Sequence, residues 1–224
     1  MENIMDFKRS IVLLGLVVIL GSCGQEEETP DYPVTMTFDK IVTVSEMRVF
    51  AGGELLDSNG DIEVIGEFLD RYYSIGSTSY NSKFVEPGAN YGDGAEITFF
   101  ADGRIHYASQ IIEVKRKDGT IIMKSKVTNE VEDFPLVESD FFKYPYDVTD
   151  NGRYSVHHVM YGDERSALDV ALQYFKLVRY DKDDKLVSVD FGTRHNEFDE
   201  DFLESLTDRD TLALKSYRLK YSVK

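Results

Sequence analysis

The side chains able to do chemistry in this chain are four histidines, a single cysteine and 41 carboxylates. The only adjacent histidines are His157 and His158, in a stretch that alternates like a strand. Neighbours on a strand point to opposite faces, so these two imidazoles cannot share a metal ion without a bulge. One buried and one exposed histidine is the expectation, and His106 or His195 could join either of them in space. Asp147, Thr149 and Asn151 put oxygens at the first, third and fifth positions of a calcium-type loop, with Gly152 at the sixth. The twelfth position is His158, where a bidentate glutamate is needed, so calcium is not expected. Gly76-Ser77-Thr78-Ser79-Tyr80 lacks the second glycine of a nucleophile elbow. No His-Glu-x-x-His, P-loop or dinucleotide-binding glycine pattern occurs. Carboxylate pairs suited to glycoside hydrolysis can be drawn in any chain so rich in acids, and they select nothing. The sequence thus names no catalytic residue, no metal ligand and no cofactor.

The lone cysteine has a different context. Lys8 and Arg9 precede an apolar run from Ile11 to Leu20, which leads into Gly21-Ser22-Cys23. A membrane-spanning helix needs about 20 apolar residues, so this run reads as a secretory signal. Leu20-Gly21-Ser22-Cys23 resembles the lipobox of bacterial lipoproteins. The resemblance implies cleavage between Ser22 and Cys23, a diacylglycerol on the Cys23 sulfur and a further acyl chain, such as palmitate, on its amino group. At about 0.8 kcal/mol per buried methylene, two or three chains hold a domain on a bilayer. An odd cysteine in an exported protein has no intramolecular disulfide partner, and lipidation gives it a role.

Gln25, Glu26, Glu27 and Glu28 follow directly and resemble the surface-export signals of some Gram-negative lipoproteins. The same run also suits a solvated tether, being charged and without apolar residues. The organisation expected is a signal peptide over residues 1–22, a lipidated acidic tether over 23–33 and one domain over 34–224. The expected location is the outer membrane, on the cell surface, with the periplasmic face as the alternative. Residues 1–22 carry two acids and two bases, so the mature chain keeps the whole net charge of −16. Such a field repels phosphate backbones and anionic headgroups, which excludes nucleic acid and leaves the lipid to hold the membrane.

The elements that would position any site are mostly strands. Val34 to Val44 alternates, with Val34, Met36, Phe38, Val42 and Val44 expected on one face, and Met47 to Phe50 ends at the turn Gly52-Gly53. Ile62, Ile65, Phe68, Leu69 and Tyr72 recur at helical spacing, which predicts a helix over 61–73 with Asp61 as N-cap. Gly66 within it costs about 1 kcal/mol relative to alanine. A long loop over 74–94 follows. Asp102-Gly103 and Asp118-Gly119 each join two alternating segments, as tight hairpin turns do. Phe141 to Tyr146, interrupted by Pro145, is expected as an edge strand, and Asn151-Gly152 turns the chain into a strand from Tyr154 to Tyr161. A further hairpin runs from about Ala171 to Tyr180 and back from Lys185 to Phe191, with charged residues Asp181 to Asp184 at its tip. A short helix over 199–206 and a closing strand over 211–221 complete the chain. Asp210-Thr211-Leu212 resembles a three-residue O-glycosylation acceptor of some Gram-negative exported proteins, although a strand start is a poor place for one.

About ten strands and one or two short helices imply a mainly β domain, an antiparallel barrel or a sandwich. The order of hairpins, with an early helix and a long closing strand, resembles bacterial lipocalin-like lipoprotein domains. The Gly-x-Trp signature of true lipocalins is missing, since the chain has no Trp. The function expected is therefore non-catalytic: an outer-membrane lipoprotein binding a small apolar ligand or a partner protein. An accessory subunit of a surface complex, without a pocket, is the first alternative. An enzyme whose site is not readable from sequence is the second.

Overall fold

The computed structural model describes residues 31–57, 62–70, 95–107, 111–126, 129–130, 139–148 and 153–223. The signal segment, Ser22, Cys23, Gln25 to Glu28, Asp61, Tyr72, residues 74–94 and the Asn151-Gly152 turn lie outside them. Two long strands form the spine. β12 (Ala167–Tyr180) and β14 (Thr211–Val223) pair antiparallel over twelve positions, from Ala167 with Ser222 to Val178 with Thr211. Their partners change halfway along. β14 pairs β2 (Arg48–Ala51) through its first residues and β1 (Val34–Thr43) through its last, while β12 pairs β11 (His157–Asp163) first and β13 (Leu186–Arg194) afterwards.

The sheet extends from β1 to β4 (Glu96–Phe99) and β5 (Ile105–His106), and from β11 to β7 (Thr120–Ser125) and β6 (Ile111–Lys117). With β3 (Glu54–Leu55) beside β2 it counts eleven strands, all antiparallel and curled into a half-barrel. A separate three-stranded sheet joins β8 (Asn129–Glu130), β10 (Arg153–Ser155) and β9 (Asp147–Val148). The mainly β, antiparallel class inferred from the hairpin order is the one found.

Side-chain parity divides the long strands between two cores. On β12, Leu168, Val170, Leu172, Tyr174 and Val178 face inward, whereas Phe175 and Leu177 face outward. On β14, Ala213, Tyr217, Leu219 and Tyr221 join the inner set, and Leu212 and Leu214 the outer. Both faces of β12 are therefore buried from Val170 to Val178, which removes the alternation that marks a half-buried strand. The strand begins at Ala167, earlier than the expected Ala171.

The inner face is closed by α1 (Ile62–Asp70), which buries Ile65, Phe68 and Leu69 against it while Glu63, Val64 and Glu67 stay exposed. Its carbonyl end is met by a buried cation: Lys176 Nζ donates to Phe68 O at 2.8 Å and to Leu69 O at 2.9 Å. Such a charge satisfies orphan carbonyls and complements the helix dipole. It also lies 5.0 Å from the centroid of the Phe68 ring.

Several local expectations are corrected. In β1 the pairing register shifts between Phe38 and Lys40, and the bulge reverses parity beyond it. Ile41 consequently packs on the inner core, while Val42 and Val44, expected on the buried face with Val34 and Met36, are exposed. Phe141 to Tyr146 is not an edge strand. It is a 3-10 turn (Ser139–Phe141) followed by irregular chain with one bridge, Phe142 to Phe198. The stretch from Tyr154 to Tyr161 is broken at Val156 into β10 and β11. The short helix is a 3-10 turn (Glu200–Ser205), with the Asp199 side chain accepting from Asp201 N. Of the two Asp-Gly turns, only Asp118-Gly119 holds both residues at positive φ, at 50° and 74°, as a type I′ turn requires.

Candidate functional site

The outer face is covered by aromatic rings carried on irregular chain. Phe141 and Phe142 come from the 139–146 segment, Phe198 and Phe202 from the segment after β13, and Phe175 from β12. Phe141 has ring centroids of Phe142, Phe175, Phe198 and Phe202 within 4.8–5.0 Å, at edge-on or tilted angles that suit the aromatic quadrupole. Irregular backbone over a sheet must find partners outside the ladder. Here Lys143 N donates to Glu197 O, Asp199 N donates to Phe141 O, and buried Asn196 Nδ2 donates to Tyr144 O at 2.7 Å. The 139–146 segment is thus held at both its rings and its carbonyls.

That segment walls a groove of about 160 Å³. Its floor is two rows of side chains on the outer face of the β6–β7–β11 ladder. In one row Glu113, Lys124 and His157 pair across the three strands; in the other, Lys115 faces Ile122. Lys143, Tyr144 and Pro145 form the wall. Each ammonium has a carboxylate neighbour. Lys115 Nζ lies 3.1 Å from Glu113, Lys124 contacts Asp147, and Lys143 Nζ lies 3.1 Å from Glu197. The hydrogen bond with Asp147 raises the Lys124 pKa, and the Lys124 bond in turn lowers that of Asp147. Glu197 is the more constrained group. Burial works against its charge, yet hydrogen bonds from Tyr161 and Lys143 and the Arg218 guanidinium outweigh that and hold its pKa below the ordinary glutamate value. Arg218 also stacks over the Tyr161 ring at 4.9 Å.

The two adjacent histidines separate as strand geometry requires. His157 faces the groove and contacts Pro145 O. His158 faces inward, where its ring, that of His195 and that of Tyr107 form a triangle with centroids 5.4–5.5 Å apart, and Tyr107 Oη lies 3.2 Å from His195 Nδ1. Burial pushes the His158 pKa down to about 4, with His157 and Arg194 adding to the effect. Burial pushes His195 down to about 3, assisted by His158 and Arg194. Both imidazoles are therefore neutral near pH 7 and behave as packing groups. His106 is exposed on β5, across from Thr98, and joins neither.

No group of three or more His, Cys, Asp or Glu side chains is arranged to hold a metal ion among the described residues. Of the calcium-type loop, Asp147 is committed to Lys124, and residues 149–152 lie outside the described residues. Asp181 caps its hairpin tip by accepting from Asp183 N and Lys185 N. Asp210-Thr211-Leu212 lies inside the sheet, with Asp210 and Leu212 buried and Thr211 paired to both Ala51 and Val178. Gly76 to Tyr80 lies outside the described residues.

Of the groove residues, the sequence singled out His157 for its chemistry and none of the lysines. Half of the lining was within reach, because a two-residue turn at Asp118-Gly119 fixes Lys115 opposite Ile122 and Glu113 opposite Lys124. Lys143 and Tyr144 had no such signal, since their position depends on where Phe141 and Phe142 dock. Comparison with family models, with curated proteins and with solved structures finds no match to this chain.

Proposed function

We propose that this chain is a lipid-anchored outer-membrane lipoprotein whose half-barrel is a non-catalytic binding module, taking a small ligand in the outer-face groove. The observation that carries the reading is the construction of that groove. Its wall is fixed independently by a ring cluster and by the Asn196 hydrogen bond, so it is pre-formed in the way binding sites usually are. The inner face is a less suitable place for a ligand. Met36, Ile97, Phe99, Tyr174 and Tyr217 are fully buried there, and α1 packs against the same core. Leu20-Gly21-Ser22-Cys23 supports the anchor, and Gln25 to Glu28 support display on the cell surface.

The test has two parts on the same preparation. Mass spectrometry of the N-terminal peptide should find Cys23 as the first residue, carrying diacylglycerol, and Cys23→Ser should release the protein from membranes. Native mass spectrometry of the full chain from neutral detergent should show a stoichiometric small-molecule adduct. An unmodified Cys23 would overturn the anchor. Protein that carries no adduct and binds nothing from a small-molecule library would overturn the binding module.

A further inference from the structure

Resting on the reading of the groove as the ligand site, we propose that its ligand is a small organic anion: a carboxylate or phosphate head on a compact apolar or aromatic body. The charge on the groove runs against that of the whole molecule. In a chain of net charge −16, the lining includes Lys115, Lys124 and Lys143, and among the described residues Glu113 is its one carboxylate. Asp147 and Glu197 contact these lysines but do not line the groove. Glu197 serves Arg218 as well as Lys143, so its charge is shared between two cations, and Asp199 also acts on Lys143. An ammonium has three N–H donors and each ion pair uses one of them, which leaves donors for an incoming anion.

The remaining described lining is apolar or aromatic: Ile122 and the His157 imidazole on the floor, Tyr144 and Pro145 on the wall. A volume of about 160 Å³ is that of a single ring, since an apolar cavity of roughly 150 Å³ holds one benzene. Lysines act as point charges and do not select the planar fork of a carboxylate as arginine does, so their geometry accepts a carboxylate or a phosphate head. The protein's overall negative field does not forbid this. At about 0.1 M salt the screening length is about 10 Å, so acids farther away than that act only weakly on the groove.

The experiment follows isoleucine methyl signals by NMR in the full chain in neutral detergent, using Ile122 as the groove reporter and Ile121, its neighbour on the inner face, as the control. The probes are phenylacetate, phenyl phosphate and the neutral 2-phenylethanol. At least one anion should shift Ile122 saturably, with Kd at least tenfold below that of the alcohol, and the one that binds more tightly identifies the head group. Lys143→Gln should weaken it about tenfold, the loss of one charge-assisted hydrogen bond. Lys182→Gln, on an exposed hairpin tip, should leave binding unchanged. If the alcohol shifts Ile122 with equal affinity, the anionic class fails while the groove survives as the ligand site. If no probe moves Ile122, or Ile121 responds instead, the groove fails as well.

Discussion

The two faces of the β12–β14 spine solve the same burial problem differently. The inner face is covered by a helix, the outer by irregular chain. A helix satisfies its own backbone except at the ends, so the helical cover is tied at its carbonyl end by a single side chain, the Lys176 ammonium. The outer cover has no internal ladder and is tied at Lys143 N, Phe141 O and Tyr144 O, through Glu197, Asp199 and Asn196. Those ties hold Lys143, Tyr144 and Pro145 at a fixed distance from the sheet. The groove exists because the outer cover is irregular, and a helix in its place would have closed the same surface.

The comparison predicts where each face breaks. The largest effect is expected from Phe141→Ala. Loss of a fully buried ring touching four others should cost about 3–5 kcal/mol in a denaturant titration. It should also release Tyr144 and Pro145, so ligand-induced shifts at Ile122 should vanish while the inner face stays folded. If Phe141→Ala loosens α1 as much as the groove, the two covers are not independent.

On the inner face, Lys176→Met keeps the aliphatic stem and removes the donors. Two helix carbonyls lose a charged partner, an expected cost of about 1.5–3 kcal/mol. Amide exchange of residues 62–70 should accelerate, with no change in the groove. Unchanged exchange would show that apolar packing alone holds the helix.

Acidification distinguishes the faces most gently. The pKa values of His158 and His195 are depressed from an unfolded value of 6.5 to about 4 and about 3. The unfolded chain therefore takes up protons first, and stability falls as pH drops from about 6.5 toward those values. Thermal melts from pH 7 to 5 should show a loss of about 2 kcal/mol for each of the two histidines. Asp147 and Glu197, whose pKa values lie below the carboxylate range, keep their charge across that window. The double variant His158→Gln and His195→Gln should flatten the slope, and an unchanged slope would assign it to other groups.

Much of the architecture was legible in residues. The Asp118-Gly119 turn set the β6–β7 register, and the spacing of Ile65, Phe68 and Leu69 marked α1 and its buried side. The alternation of His157 and His158 told that they part. What was not legible depended on contacts distant in sequence. The bulge after Phe38 sent Ile41 inward in place of Val42. Phe141 and Phe142 read as an edge strand because short apolar runs look alike in a strand and in a buried turn. His195 reached His158 only through the path of β13.

By itself the sequence determined the mainly β class, the register of the Asp118-Gly119 hairpin and the amphipathic helix, because these rest on period and turn chemistry within a few residues. The tertiary structure alone decided that Lys176 is buried at a helix end and that Glu197 is shared by two cations. It also decided that three lysines from β6, β7 and an irregular segment converge on one groove. Nothing local distinguishes a lysine that faces water from one that faces another lysine's neighbour. That difference is made only when strands far apart in the chain are laid side by side.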